Sequence, residues 1–298
     1  MNNHLELIRD LSCGLNEYQV AKLYKSEQMV DYESEFELSY SDIKSLTLAL
    51  SIASEFYDVK AVVSTDISHV FGVALAPTLE EAFAKVMDAN PIDIQLSTIA
   101  ATNVVDVDFA RMLGKHNLVV APEFTEEAIN YLRKKEVKFV VLKTPLSEFK
   151  QYIADRITVT PFGTIVEAPN QSELNTDTFK IETATKPTVE QIEDAVFAWK
   201  LVKYVKSRGI VVTKGFKTTA IIQGVQNSAL ELALDYSCDT SKDAIAAIDG
   251  LITSHDLEVA AQGRIAGIIL PFVTPEIVAL ADKYKMVLIT TGFTSYLD

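Results

Sequence analysis

The chain has 298 residues, of which 48% are hydrophobic, and its formal net charge is -14 because 41 acidic residues outnumber 27 basic ones. This length fits two domains of about 150 residues, each large enough for its own core. The charge argues against nucleic acid and against an anionic membrane as partners, since both need a cationic surface, although one local pocket can still attract a small anion.

Helix and strand patterns alternate through the first half of the chain. Apolar residues at helical spacing predict a helix over 39–57, with serines near its start as capping candidates. Residues 78–81 (TLEE) form a capping-box pattern that predicts a helix through Met87, and another helix is predicted from Thr125. The apolar runs that predict buried strands are 60–64, 94–101, 119–122 and 138–142.

The segment 144–187 differs from its surroundings, because Thr, Asn and Pro interrupt short β-prone pieces, and it predicts a β-rich connector over 151–187. A capping box at residues 188–191 (TVEQ) then starts a helix that runs to 206. The elements predicted after it are a strand at 210–213, a helix at 241–248, a strand at 268–270, a helix at 274–284 and a strand at 286–290. Apolar strands connected by helices favour parallel or mixed sheets that are covered on both faces.

A repeat with a constant offset links the two halves. The same residue type recurs 149 positions later at Pro122 and Pro271, Thr125 and Thr274, and Glu127 and Glu276. One offset that holds across separated segments predicts two similar domains, and we place them at 1–150 and 188–298. Such pseudo-symmetry favours a site between the halves or between subunits.

Familiar chemical motifs are missing from the sequence. The glycines lack the spacing of a phosphate loop, the four histidines do not pair at metal-ligand spacing, and no serine lies in a nucleophile elbow. Cys13 and Cys238 are too few for a disulfide framework and are expected to be free thiols. We find no signal-peptide pattern and no apolar run long enough to span a membrane, so we expect a cytoplasmic protein.

Two groups of residues are candidates from position alone. Trp199 lies on an amphipathic helix and is expected in the core, while Lys203 and its neighbouring lysines suit either a solvated helix end or a ligand contact. Asp66 and His69 follow a buried strand, where α/β proteins often place ligand contacts. The alternative interpretation of His69 is an ordinary loop histidine.

One combination of segments is specific. The run 187–207 (PTVEQIEDAVFAWKLVKYVKS), together with 118–132, Asn90-Pro91, Gly14-Leu15-Asn16 and the ending 286–292, resembles the formyltransferase domain of the AICAR transformylase/IMP cyclohydrolase family. The resemblance covers essentially the whole chain and only the formyltransferase part of that bifunctional enzyme. It implies a tandem of two cytidine-deaminase-like, three-layer α/β domains and a homodimer with sites at the subunit interface. It also implies a nucleotide-like or folate ligand and no metal.

The same resemblance implies formyl transfer from 10-formyltetrahydrofolate to the amine of AICAR by a Lys-His pair. Alignment through residues 61–64 puts Asp66 and Ile67 at the two catalytic positions. An isoleucine exchanges no proton, and an aspartate does not replace a cation that stabilises negative charge. In an extended segment, His69 would point to the same side as Ile67, which leaves a shifted histidine as an alternative.

Anion-binding positions of the family are also replaced. Its Arg-Tyr pair aligns with Ser12 and Cys13, one arginine aligns with Ser228 although Gln226 remains, and another aligns with Thr294. Each lost arginine removes a charge-assisted contact worth about 1.5–3 kcal/mol. The other ligand-binding positions that the resemblance implies are Asn16, Asn117, Lys203, Ser207 and Asp249.

Three hypotheses are compatible with these residues. The chain is a non-catalytic paralogue with an altered ligand or a regulatory role, or an enzyme of altered chemistry that uses Asp66, His69, Lys203 or Lys214. The third hypothesis is an active AICAR formyltransferase that uses 10-formyltetrahydrofolate and tolerates the replacements. Fold similarity does not decide among them, since function depends on the residues of the site.

Overall fold

The computed structural model describes residues 6–12, 20–26, 29–168, 174–205, 209–223 and 229–295. The strands in these ranges are β1 (Leu7–Leu11), β2 (Ala21–Tyr24), β3 (Tyr32–Ser34), β4 (Ala61–Thr65), β5 (Val70–Leu75), β6 (Thr98–Ala101), β7 (Leu118–Ala121), β8 (Lys138–Leu142), β9 (Arg156–Thr160), β10 (Gly163–Glu167), β11 (Lys180–Ile181), β12 (Ile210–Thr213), β13 (Thr218–Ile222), β14 (Ile245–Ile248), β15 (Gly267–Leu270) and β16 (Val287–Thr290). The helices are α1 (Tyr40–Ala53), α2 (Leu79–Ala89), α3 (Val107–Met112), α4 (Glu126–Lys135), α5 (Val189–Val202), α6 (Ala229–Ser237), α7 (Ser254–Gln262) and α8 (Pro275–Lys283).

Two six-stranded mixed sheets carry the fold. The first has the order β3-β8-β7-β6-β4-β5, and the second has the order β11-β16-β15-β14-β12-β13. In the first, β6, β7 and β8 are parallel, while β3 and β4 are antiparallel to their neighbours β8 and β6. In the second, β14, β15 and β16 are parallel, with β11 and β12 antiparallel. The prediction of an α/β protein with mixed sheets is confirmed.

The two sheets repeat one another in sequence as well as in order. β4 begins at Ala61 and β12 at Ile210, which are 149 positions apart, and the first residues of β7 and β15 have the same separation. The chain divides into two compact units. The first unit is Met1–Phe71, Ala76–Ala84 and Pro91–Pro169, and the second is Gly72–Leu75, Lys85–Asn90 and Asn170–Asp298.

The predicted connector contains the strands expected there. β9 and β10 form a separate two-stranded antiparallel sheet, while β11 pairs with β16 at the edge of the second sheet. The boundaries at 150 and 187 remain predictions. Among the described residues, no helix combines the length and the apolar character that crossing a membrane would require.

Matching caps begin the first long helix of each sheet. Ser39 and Asp42 form a capping box at α1, and Thr188 and Gln191 form the predicted one at α5. Burial raises the pKa of Asp42, but hydrogen bonds from Ser39 and Lys138 outweigh this and lower the pKa below its ordinary value. The Lys138 ammonium lies 3.0 Å from Asp42 Oδ2 and connects β8 to the start of α1.

One predicted element is wrong in type. The segment 241–248 was expected to be a helix, but Ile245–Ile248 is the buried strand β14, paired with β12 and β15. The two central alanines lower the strand propensity of this segment, but pairing with strands on both sides overcomes this low propensity. The predicted strand over 94–101 is shorter in the structure, where a 3-10 helix over Asp93–Leu96 precedes β6.

Candidate functional site

In the first sheet, two predicted site residues lie together at the ends of neighbouring strands. β4 runs antiparallel to β6, and its last residue, Thr65, pairs with Thr98, the first residue of β6. Thr98 pairs in turn with Leu118, the first residue of β7. Asp66 follows β4 and Asn117 precedes β7, so both lie at the end of the sheet where β4 ends and where β6 and β7 begin.

Asp66 closes the tight turn between β4 and β5. Its Oδ1 accepts hydrogen bonds from the backbone N–H groups of Ser68 at 2.9 Å and His69 at 2.7 Å. The backbone N–H of Asp66 donates to the His69 carbonyl at 3.0 Å. These are the bonds of an Asx turn, in which a short acidic side chain takes the place of a backbone acceptor.

His69 lies beside the same carboxylate. Its Nδ1 is 3.1 Å from Asp66 Oδ1 and 3.3 Å from Oδ2, and the ring stacks on Phe71 with centroids 6.5 Å apart. The His69 side chain is 54% exposed and that of Asp66 is 41% exposed. A carboxylate beside Nδ1 orients the ring and favours the tautomer with the proton on Nδ1, in which Nε2 is the nitrogen that can accept a proton.

The prediction that His69 replaces the residue at position 67 assumed that residues 66–69 are extended, and this assumption is wrong. Residues 66–69 form a turn, with bends at positions 67 and 68. Ile67 is exposed and offers no hydrogen-bonding side-chain group. The catalytic role of Asp66, Ile67 and His69 remains a prediction, whereas the structure shows the hydrogen bonds by which Asp66 closes the turn.

Asn117 belongs to a buried network at this end of the sheet. Its Oδ1 accepts from the Gly114 N–H at 2.8 Å, and its Nδ2 donates to the carbonyls of Ile94 at 2.7 Å and Ser97 at 3.0 Å. The Ser97 hydroxyl accepts from the Ser64 hydroxyl at 2.7 Å. A side-chain amide makes at most four hydrogen bonds, so three of these are used within the protein. Its assignment as a ligand contact remains a prediction.

In the second unit, predicted residues gather at the carboxyl ends of the parallel strands, where open α/β sheets bind ligands. Asp249 directly follows β14, and its Oδ2 accepts from the Ser295 N–H at 2.9 Å. Thr294 is exposed beside that contact. Lys203 caps the end of α5, with its ammonium 5.3 Å from the centre of the Tyr204 ring.

A buried aromatic contact continues this region. Trp199 lies one turn before Lys203 on α5, and its ring meets the edge of the Phe293 ring with centroids 6.2 Å apart. The end of α5, the end of β14 and residues 293–295 are therefore connected by direct contacts. Trp199 is buried, which confirms its predicted place in the core.

Other predicted residues have fewer contacts or none that can be described. The Ser12 carbonyl accepts from the Tyr40 N–H at 3.0 Å, and the Lys214 ammonium donates to the Lys242 carbonyl at 2.6 Å. Among the residues that the structure describes, no group of three or more potential metal ligands occurs. The predicted ligand-binding residues outside the described ranges are Cys13, Asn16, Ser207, Gln226 and Ser228.

The sequence argument missed Asp194, a buried acid on α5. Its two carboxylate oxygens accept from the N–H groups of Gly215 and Phe216, both at 2.8 Å, in the turn between β12 and β13. The position 149 residues before Asp194 is Ser45, which has no carboxylate. In the first sheet, the equivalent turn between β4 and β5 is closed by Asp66. An acid within an otherwise apolar helix face was the signal that could have identified it.

Together, the two sheets define a two-unit α/β protein with polar residues at sheet edges. A sequence profile described as "AICARFT/IMPCHase bienzyme" matches residues 1–235. The chain belongs to this family, and the matched part is its formyltransferase part, as the resemblance in the sequence indicated.

Curated relatives support the same assignment. The bifunctional purine biosynthesis protein PurH of Acetivibrio thermocellus is 32% identical over 98% of this chain and 59% of its own length. The PurH proteins of Ruminiclostridium cellulolyticum and Halalkalibacterium halodurans are each 30% identical, over 98% and 95% of this chain and 59% and 58% of their own lengths. The chain thus spans about three fifths of the length of these relatives.

Proposed function

We propose that this chain is an AICAR transformylase-like protein that keeps the scaffold of the purine biosynthesis formyltransferases and has lost formyl transfer. In this proposal it serves an altered ligand, nucleotide-like or folate, or has a regulatory role. One observation carries the proposal. Asp66 and Ile67 stand at the positions that the resemblance aligns with the family's Lys-His pair, and the Asp66 carboxylate accepts two backbone hydrogen bonds of its own turn.

The chemistry supports this proposal. Attack of an amine on a formyl group needs a group that removes a proton and positive charge near the developing oxyanion. Ile67 supplies neither, and the negative charge of Asp66 opposes the build-up of negative charge nearby. The bonds to Ser68 and His69 also give Asp66 a structural reason to be present that is independent of any ligand.

The second candidate is an active enzyme, either the formyltransferase or one of altered chemistry. One observation favours this second candidate: the Asp66 carboxylate lies 3.1 Å from His69 Nδ1. A histidine oriented in this way can exchange a proton at Nε2. In this alternative, His69 replaces the family histidine and 10-formyltetrahydrofolate is the cofactor of formyl transfer.

We expect the purified protein to produce no formylated AICAR from AICAR and 10-formyltetrahydrofolate above the rate without protein. The measurement is the release of tetrahydrofolate, with the His69→Ala variant as a matched control that should give the same background. Formyl transfer by the unaltered chain that is abolished in His69→Ala would reject the degenerate enzyme in favour of the active one.

The finer architecture follows from the family. We propose two cytidine-deaminase-like, three-layer domains at 1–150 and 188–298, with 151–187 as a connector that adds the edge strand β11 to the second sheet. The shared strand order of the two sheets supports this. A cytoplasmic location is part of the same proposal.

A homodimer is also part of the proposal, and the β9–β10 hairpin supports it. Val159 opposes Thr164, and Ile157 opposes Val166, so these residues share one face. That face is open to solvent, with Val159 81% exposed. An isolated two-stranded sheet is marginal in water, and exposed apolar patches favour association.

A charge on that face should separate the subunits. We expect Val159→Lys to shift the mass in light scattering from twice the 32.9 kDa of one chain towards a single chain. Thr158→Lys is the control, because Thr158 opposes Ile165 on the other face and should leave the mass unchanged. A single-chain mass for the unaltered protein, or equal shifts in both variants, would reject this interface.

A further inference from the structure

A cavity of about 330 Å³ lies within the first unit. One wall is α1, another is formed by β3 and β8, and a third is the 3-10 helix Leu146–Tyr152 with the residues after it. Apolar side chains from these three walls line the cavity, among them Ile43, Leu46, Leu50, Val140, Leu142 and Phe149.

The lining contains no ionised side chain among the described residues. This is informative because 23% of the chain is charged and its net charge is -14. The polar side chains among the described lining residues are those of Ser26, Tyr32, Thr47 and Tyr152, and each carries a hydroxyl. The Thr47 hydroxyl already donates to the Ile43 carbonyl at 2.8 Å. A charged ligand would therefore lose its hydration without gaining an ionic partner.

The volume is that of a small-molecule pocket. An enclosed cavity of about 150 Å³ lined by Leu, Ile and Phe holds benzene, and this pocket, which is partly open to solvent at Met29 and Tyr32, has roughly twice that volume. It also falls at the lower end of the 300–1,000 Å³ range typical of ligand pockets. We propose that this cavity is a binding site for a neutral, largely aromatic small molecule. None of the predicted ligand-binding residues within the described ranges lines it.

Two fluorescent probes with nearly the same rings test the charge requirement. We expect N-phenyl-1-naphthylamine, which is neutral, to bind saturably with one molecule per chain. The anionic 1-anilinonaphthalene-8-sulfonate should bind at least about tenfold more weakly, because the described lining residues offer its sulfonate no cationic partner. Fluorescence titration of the full chain gives both dissociation constants. Non-saturable binding, or equal affinity for the two probes, overturns the proposal.

Filling the cavity from two walls tests its location. Thr47→Trp on α1 and Ala154→Trp, which follows the 3-10 helix Leu146–Tyr152, should each weaken binding of the neutral probe at least about tenfold, since the added ring occupies the space. Lys44→Trp is the matched control on α1, because Lys44 is exposed and does not line the cavity. Circular dichroism identifies any variant that fails to fold, in which case the filling variant on the other wall provides the test. Unchanged affinity in a folded filling variant, or an equal loss in Lys44→Trp, overturns the proposal.

Discussion

Replacing Trp199 by alanine is expected to lower the free energy of unfolding by about 3–5 kcal/mol, because the truncation removes a large buried side chain and leaves a cavity. Trp199 is 2% exposed and packs against the edge of Phe293. Urea denaturation followed by circular dichroism measures the change. The expected result is a lower midpoint with an unchanged dependence on urea concentration.

Trp199→Phe is the matched control. Within the described part of the chain, the Trp199 Nε1 is buried without a hydrogen-bond partner, so phenylalanine removes an unsatisfied donor while it keeps an aromatic ring. We expect this variant to lose less than about 1.5 kcal/mol. If alanine cost no more than phenylalanine, packing around Trp199 would not be the source of its stabilising effect.

Asn117→Ala is expected to destabilise the first unit by about 2–4 kcal/mol, because it leaves buried backbone groups without their partners. The groups concerned are the Gly114 N–H and the carbonyls of Ile94 and Ser97. Thermal and urea denaturation measure this loss in the absence of any ligand. The magnitude exceeds what a residue that only contacts a ligand would contribute to the free protein.

The control for this variant is Asn130→Ala. Asn130 is exposed on α4, so its replacement should change stability by no more than about 0.5 kcal/mol. Equal stability of Asn117→Ala and the unaltered protein would contradict a structural role. In that case the assignment of Asn117 as a ligand contact would be the better explanation of its place at the sheet edge.

The elements predicted well are those whose signals are local. A capping box needs only a few consecutive residues, and both Ser39 and Thr188 start helices as their sequences indicate. Short runs of β-branched residues, such as those of β7 and β12, likewise favour strands without reference to distant residues. The 149-residue offset is visible because matching positions keep the same residue types.

The element that failed depends on distant partners. Residues 245–248 contain two alanines, and a window that short does not separate helix from strand. Pairing with β12 on one side and β15 on the other makes this segment a central strand. The paired residues are 32 to 38 positions apart for β12 and 22 positions apart for β15, distances that no local pattern spans.

In the candidate site, too, some features follow from the sequence alone and others only from the tertiary structure. The sequence by itself determined that positions 66 and 67 hold an aspartate and an isoleucine, and hence that no lysine or histidine stands there. Only the tertiary structure decided that Asp66 closes a turn around His69 and that Asn117 binds a carbonyl 23 residues earlier in the chain. The physical reason is that residue type limits which protons and charges a side chain can offer, while the groups that use its hydrogen bonds are set by the folded backbone.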